Sequence, residues 1–347
     1  MFYRSDDDSR VGKRGKIYFY SITKYLSDIV PGNRCFICGK TKNNQDFNDE
    51  HIIPNWLLSK MHIHSRKVTL PNGAKIPYGR YKTPCCRKCN SKLGKTYEER
   101  ISKLFTTENF EEFRGKLNAH HKAFLFRWLN LLFFKTHYQD TKFKMKMDQP
   151  LDKSLIGDQY NWSDLHHIHC IVRSYYTKSK IDSQVEGTLL VFDVQLTAED
   201  EVFDYYDDIA SSCILIRLNS IGIVAVLNDS KMVDFFIKPV IDKISGKISP
   251  IQLREILAHC AFINNKIKYR PGYYSRFEND VNITIKVNLP VFYQLTEAGY
   301  SSQEFGKYLY SFTNNLLSPE QKLSIEGDII DGRVSFLFND GRFIKSD

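Results

Sequence analysis

Two Cys-x-x-Cys pairs constrain this chain more than any other feature. The first is Cys35-Phe36-Ile37-Cys38 and the second is Cys86-Arg87-Lys88-Cys89, with 47 residues between them. Zinc takes four thiolates in a tetrahedron, and a Cys-x-x-Cys turn presents two of them to one ion. Cys35, Cys38, Cys86 and Cys89 are therefore expected to hold one structural zinc. The gap is longer than in a simple zinc ribbon, so a substructure is threaded between the two knuckles. Cys85 is a spare that could replace Cys86, although the two-residue spacing favours Cys86.

The threaded part carries Asp49-Glu50-His51-Ile52-Ile53-Pro54, and Asn90 directly follows Cys89. A histidine can take a proton from water near neutral pH. A carboxylate beside it can hold a hard divalent ion. Phosphodiester cleavage needs both, a base for the attacking water and a cation at the phosphate. Asn90 is anchored by the neighbouring zinc ligand, and its amide oxygen could complete a site with Glu50. Charge points the same way. Residues 1–100 hold 20 Lys and Arg against 9 Asp and Glu, while the remainder holds 29 against 31. The excess positive charge lies with the cysteine pairs, and a basic face is the footprint of polyanion binding. Lys88, Lys92 and Lys95 flank the expected helix start and are candidate phosphate contacts.

Taken in order, Cys-x-x-Cys, Glu-His-Ile-Ile-Pro and Cys-Arg-Lys-Cys-Asn-Ser-Lys resemble the zinc-containing branch of the HNH endonucleases, over residues 35 to about 100. The resemblance implies a ββα-metal finger, two strands and a helix around one catalytic divalent ion, Mg²⁺ or Mn²⁺. It implies that His51 is the general base, that Glu50 is a metal ligand, and that Asn90 is the second ligand at the start of the helix. Family members hydrolyse DNA phosphodiesters to 5′-phosphate and 3′-hydroxyl ends. Free-standing members act in bacterial or phage restriction, antiphage defence or mobile elements. This chain departs from the pattern twice. Glu50 stands where Asp is commoner, which makes Asp49 a candidate to share the metal. The middle asparagine that orients the base has no clear match, although Asn72 lies in the right segment. A reading of another class is a zinc-stabilised nucleic-acid-binding protein without catalysis, with RNA as well as DNA open as ligand.

The whole chain reads as α+β, a zinc-stapled ββα-metal nuclease domain followed by a larger mixed α+β domain. The expected divisions are a polar tail and strand over 1–34, the zinc-stapled domain over 35–106, and a region of 107–347 for target or partner recognition or self-association. A helix is expected from near Asn90, and hairpins around Pro71-Asn72-Gly73 and Asn219-Ser220. Helices are also expected within Phe110–Tyr138 and over Trp162–Lys178. Further helices should open at Ser249-Pro250, Ser301 and Ser318. A terminal hairpin is expected over Arg333–Lys345. His166 and His169 would share a helix face, as a second metal site or as packing. The N-terminus has no apolar core of a secretory signal. The apolar run Ala123–Phe134 is broken by Arg127 and Asn130 and falls short of the roughly 20 residues of a span. A cytoplasmic protein with reduced cysteines and no membrane contact is the expectation.

Overall fold

The computed structural model describes residues 1–42, 46–107, 109–149, 151–278, 282–296 and 301–345. It is mixed α+β and divides into two compact units. The first comprises 1–106, 127–183 and 273–286, and the second 107–126, 184–272 and 287–347. The expected division at 106/107 is one crossing between the units. It is not the only one, because the chain returns to the first unit for 127–183 and again for 273–286.

In the first unit, β1 (Phe2–Arg4), β2 (Arg10–Gly12) and β3 (Ile17–Phe19) form an antiparallel sheet, followed by α1 (Ile22–Asp28). The strand expected within 1–34 is thus a three-stranded sheet that ends at Phe19, and two residues on the Ser21 side chain accepts from the Lys24 N–H and caps α1. After the first knuckle come β4 (Phe47–His51), α2 (Asn55–Lys60), the hairpin of β5 (Lys67–Thr69) and β6 (Lys75–Pro77), and β7 (Lys82–Cys86). β4 and β7 pair antiparallel, Glu50 opposite Thr83 and His51 opposite Lys82. α3 (Arg87–Leu93) follows without a loop and packs on both strands. It begins three residues earlier than expected, because Cys86 at the end of β7 is already its N-cap. A π-helical turn, Gly94–Glu98, joins it to α4 (Glu99–Leu104).

α5 (Phe110–Lys116) is capped by Asn109 and belongs to the second unit; α6 (Ala119–Asp140) is the longest helix among the described residues. Within the first unit, the 127–140 part of α6 is buried nearly all round, with Trp128, Leu129, Leu132, Phe133, Phe134 and Tyr138 fully buried beside the polar Asn130, Lys135 and His137. α7 (His166–Thr177) clamps the first knuckle. His169 Nε2 meets Phe36 O at 2.8 Å, and Arg173 donates to Ile37 O and Ile17 O at 2.6 Å each. The expected face of His166 and His169 is therefore packing. His166 Nε2 lies 2.8 Å from Tyr20 O, and both rings sit among aromatics. β8 (Lys180–Ile181) pairs parallel with the strand Asn282–Asn288.

The second unit has a four-stranded antiparallel sheet of β9 (Leu189–Asp193), β10 (Phe203–Asp208), β11 (Cys213–Leu218) and β12 (Ile221–Val226), in the order β10-β11-β12-β9. The β11–β12 turn falls at Asn219-Ser220, as expected. Every residue of β11 and β12 is buried. α8 (Met232–Ile241) and α9 (Pro250–Lys266) cover the sheet, and α10 (Ser302–Thr313) and α11 (Pro319–Ile330) pack beyond. Ser249, Ser301 and Ser318 cap their helices. The terminal hairpin is shorter than expected, with only Phe338–Asn339 paired to Arg342–Phe343. The segment before it is held instead by Glu255, whose carboxylate accepts from Ser335 Oγ, Phe336 N and Leu337 N.

Candidate metal centre and nucleic-acid interface

The first knuckle is closed by backbone hydrogen bonds, Gly39 N to Cys35 O and Cys35 N to Lys40 O, both 2.8 Å. Gly39 has φ +75°, and a Cβ there would stand 1.7 Å from Tyr20 Oη. Only glycine closes this turn under the tyrosine. The second knuckle is the β7–α3 junction, which brings Cys86 and Cys89 to the first pair. The sulfurs of Cys35, Cys38, Cys86 and Cys89 all lie within 4.8 Å of one another. Zinc–sulfur bonds of about 2.3 Å in a tetrahedron put sulfurs about 3.8 Å apart. The cluster is largely buried and has the composition and spacing to hold a metal ion such as zinc. Cys85 is on β7 with its sulfur 3.9 Å from that of Cys35, outside the four-sulfur group. β pairing explains why. Cys85 and Cys86 point to opposite sides of the strand, and Cys86 alone also caps the helix that carries Cys89.

Glu50 and His51 close β4. Glu50 is only 5% exposed, and its Oε1 accepts from the Nζ of Lys135 at 3.0 Å. The same ammonium donates to His51 O at 2.7 Å, and Lys135 is fully buried on α6. Glu98, at the end of the π-helical turn, comes to the same carboxylate. Burial pushes its pKa up to about 7, with the Lys135 charge opposing and the Glu50 carboxylate adding to the rise. Glu98 thus hydrogen-bonds the carboxylate that Lys135 holds. The His51 ring is half-buried. Burial holds its pKa below the ordinary value of 6.5, reinforced by the charge of Lys82, and Glu50 works against the shift. The imidazole is therefore neutral near pH 7, the form that accepts a proton.

The remaining expected residues divide. Asn90 sits in the second turn of α3, half-buried, one residue beyond Cys89. Asp49 is exposed, with its carboxylate 3.8 Å from Lys42 Nζ, so it does not join Glu50 at Lys135. Asn72 serves the β5–β6 turn. Its Oδ1 accepts from Ala74 N at 3.0 Å and its Nδ2 donates to Lys144 O at 2.7 Å. Neither group is left to orient His51. Phe143 and Met145, on either side of Lys144, pack against the cluster of Ile52, Leu70 and Tyr81, so this segment is an amphipathic edge over the hairpin. Lys88 and Lys92 line a cavity of about 570 Å³ beside the cysteine cluster. Lys95 lines another, of about 370 Å³, with Trp56, Ser91, Glu98 and Glu99. Ser91 borders both, so the two hollows adjoin across α3.

Lys135 and Glu98 are the residues that sequence reasoning missed. Lys135 had a signal, a lone cation at the end of Leu131-Leu132-Phe133-Phe134, where a buried helix demands a partner for it. Glu98 had none, since in Tyr97-Glu98-Glu99-Arg100 it looks like a solvated face, and only the π-helical turn tells it from Glu99. Comparison with protein-family models, curated proteins and solved structures gives no match to this chain. No helix among the described residues is long and apolar enough to cross a membrane.

Proposed function

We propose that the chain is a metal-dependent endonuclease of the HNH kind that hydrolyses DNA phosphodiesters, with His51 as general base. The observation that carries this reading is the run β4–β7–α3. It has Glu50-His51 at the end of one strand and Asn90 on the helix that leaves the other, and the four cysteines tie the helix start to the first knuckle. The donor set suits a hard cation. Glu50 and Asn90 offer oxygen ligands, and the Glu98 carboxyl beside Glu50 would add a further oxygen. A divalent ion held there would supply charge neutralisation at the scissile phosphate. His51, neutral and half-exposed, would take the proton of the attacking water. Lys135 fixes the ends of both residues, because it holds a carboxylate oxygen of Glu50 and the carbonyl of His51. Zinc in the cysteine cluster would hold shape. Restriction or antiphage defence is the proposed setting.

One observation favours a second reading, a zinc-stabilised nucleic-acid-binding protein without catalysis. Glu50 already has a buried cation, Lys135, on one of its oxygens. The deciding experiment incubates plasmid DNA with the protein and Mg²⁺ or Mn²⁺, with and without chelator, beside His51→Ala. Nicking by the wild type alone, dependent on metal, supports the endonuclease. Equal nicking by both proteins refutes His51 as base, and tight binding with no nicking by either supports the second reading.

A further inference from the structure

The cavity of about 570 Å³ beside the cysteine cluster is lined by Lys16, Lys40, Arg87, Lys88 and Lys92, with Asp46 as its one carboxylate among the described residues and Tyr176 as its aromatic wall. The cations come from separate places in the chain. Lys16 precedes β3, Lys40 follows the first knuckle, and Arg87, Lys88 and Lys92 stand on α3. The sequence marked only Lys88 and Lys92.

Cations around a zinc tetrathiolate have an ordinary use, which is to offset its charge. Four thiolates on Zn²⁺ carry a net charge of about −2. Five cations exceed that and Asp46 together by two positive charges. Asp46 is already the partner of Lys40. Arg87, Lys88 and Lys92 have no carboxylate partner among the described residues and are exposed. Lys16 is half-buried; it donates to Tyr176 O at 2.8 Å and lies over the Tyr176 ring at 4.3 Å and the Tyr18 ring at 4.5 Å. Burial and then the like charges of Lys92 and Arg173 disfavour its ammonium. Holding a partly buried ammonium among like charges costs free energy, and an anion in the cavity would offset it.

We infer that this cavity is a phosphate-binding subsite for the backbone of a nucleic acid, formed by Lys16, Arg87, Lys88 and Lys92 on the side of α3 facing the cysteine cluster. It adjoins the Lys95 and Glu98 hollow through Ser91, so a strand seated in it continues towards the Glu50 end of the site. The lining is dominated by cations on separate elements, which suits the phosphate oxygens of a backbone. The inference shares its ligand with the proposed function but rests on charge and shape, and it stands if no phosphodiester is cut.

The test is fluorescence anisotropy with labelled single-stranded and duplex DNA, without added Mg²⁺ or Mn²⁺, over a range of salt. Lys92→Glu and Arg87→Glu are compared with Lys75→Glu, an equal change of charge on exposed β6 away from the cavity. Zinc content is measured on each protein. If either α3 variant loses zinc, Lys16→Gln and Lys88→Glu replace it. Cavity variants are expected to weaken binding about tenfold or more at 0.1 M salt and to lower the salt slope by about one for each phosphate left without its cation. The control is expected to change binding less than threefold, about the limit for a remote charge under screening. Equal weakening by control and cavity variants would overturn the subsite. So would displacement of the DNA by inorganic phosphate or a nucleoside monophosphate at concentrations near that of the competing oligonucleotide, since the cavity would then be a small-anion site.

Discussion

Lys135 of α6 donates to the carboxylate of Glu50 at the end of β4, 3.0 Å away and shielded from solvent. Neither residue is close to the other in sequence. The pair ties the strand of the candidate site to the apolar helix that forms much of the first unit's core.

Removing one half of a buried ion pair leaves the other charged and desolvated, at a cost of about 3–5 kcal/mol. Lys135→Met should therefore lower the urea midpoint strongly. The double change Lys135→Met with Glu50→Gln should recover part of the loss. An unfolding curve for Lys135→Met that overlays the wild type would show that the pair contributes nothing.

The two adjacent cysteines of β7 should behave differently. Cys89→Ser and Cys86→Ser should lose bound zinc and unfold the region around the knuckles, because binding and folding of such a site are coupled. Cys85→Ser should keep about one zinc per chain, since Cys85 lies outside the four-sulfur group. Metal analysis of purified proteins decides this, and zinc loss from Cys85→Ser would reassign the ligand.

Asn90→Ala should abolish metal-dependent nicking while zinc content and thermal midpoint stay near the wild type. His51→Ala should lower the nicking rate by about 10²-fold or more, the usual scale for a lost general base. Nicking by Asn90→Ala at the wild-type rate would remove Asn90 from the site.

His169 is buried, and burial holds its pKa well below the ordinary 6.5; His166 is lowered by the same cause. A histidine with a depressed folded pKa binds fewer protons folded than unfolded below pH 6.5. Its contribution to stability is present above that pH and lost as the pH falls. The urea midpoint should therefore drop between pH 7.5 and 5.5, the unfolding free energy falling by up to about 1.4 kcal/mol per group for each unit below 6.5. In His169→Gln the drop should be smaller. A midpoint that rises on acidification would contradict the assignment.

Much of the fold's local grammar was readable. Asn219-Ser220 turned a hairpin, Ser249-Pro250 opened a helix, and Cys-x-x-Cys twice formed a knuckle, because each depends on neighbours within a few residues. Boundaries slipped where two local signals overlapped. Cys86 ends a strand and caps a helix at once, so α3 starts at Arg87 and not near Asn90. Long-range relations left no trace of their partner in the sequence. Asn72 sat at a plausible spacing for orienting His51, yet the turn takes up both ends of its side chain.

By itself the sequence determined that Cys35, Cys38, Cys86 and Cys89 should meet and that the positive charge gathers with them. Ligand spacing and composition do not depend on packing. Only the tertiary structure decided that Glu50 would face Lys135 and Glu98, that Asp49 would stay with Lys42 in solvent, and that Lys16 would join the cations of α3 in one cavity. The physical reason is desolvation. A charged side chain is costly to bury without a partner, and which partner it meets is settled by how distant elements pack.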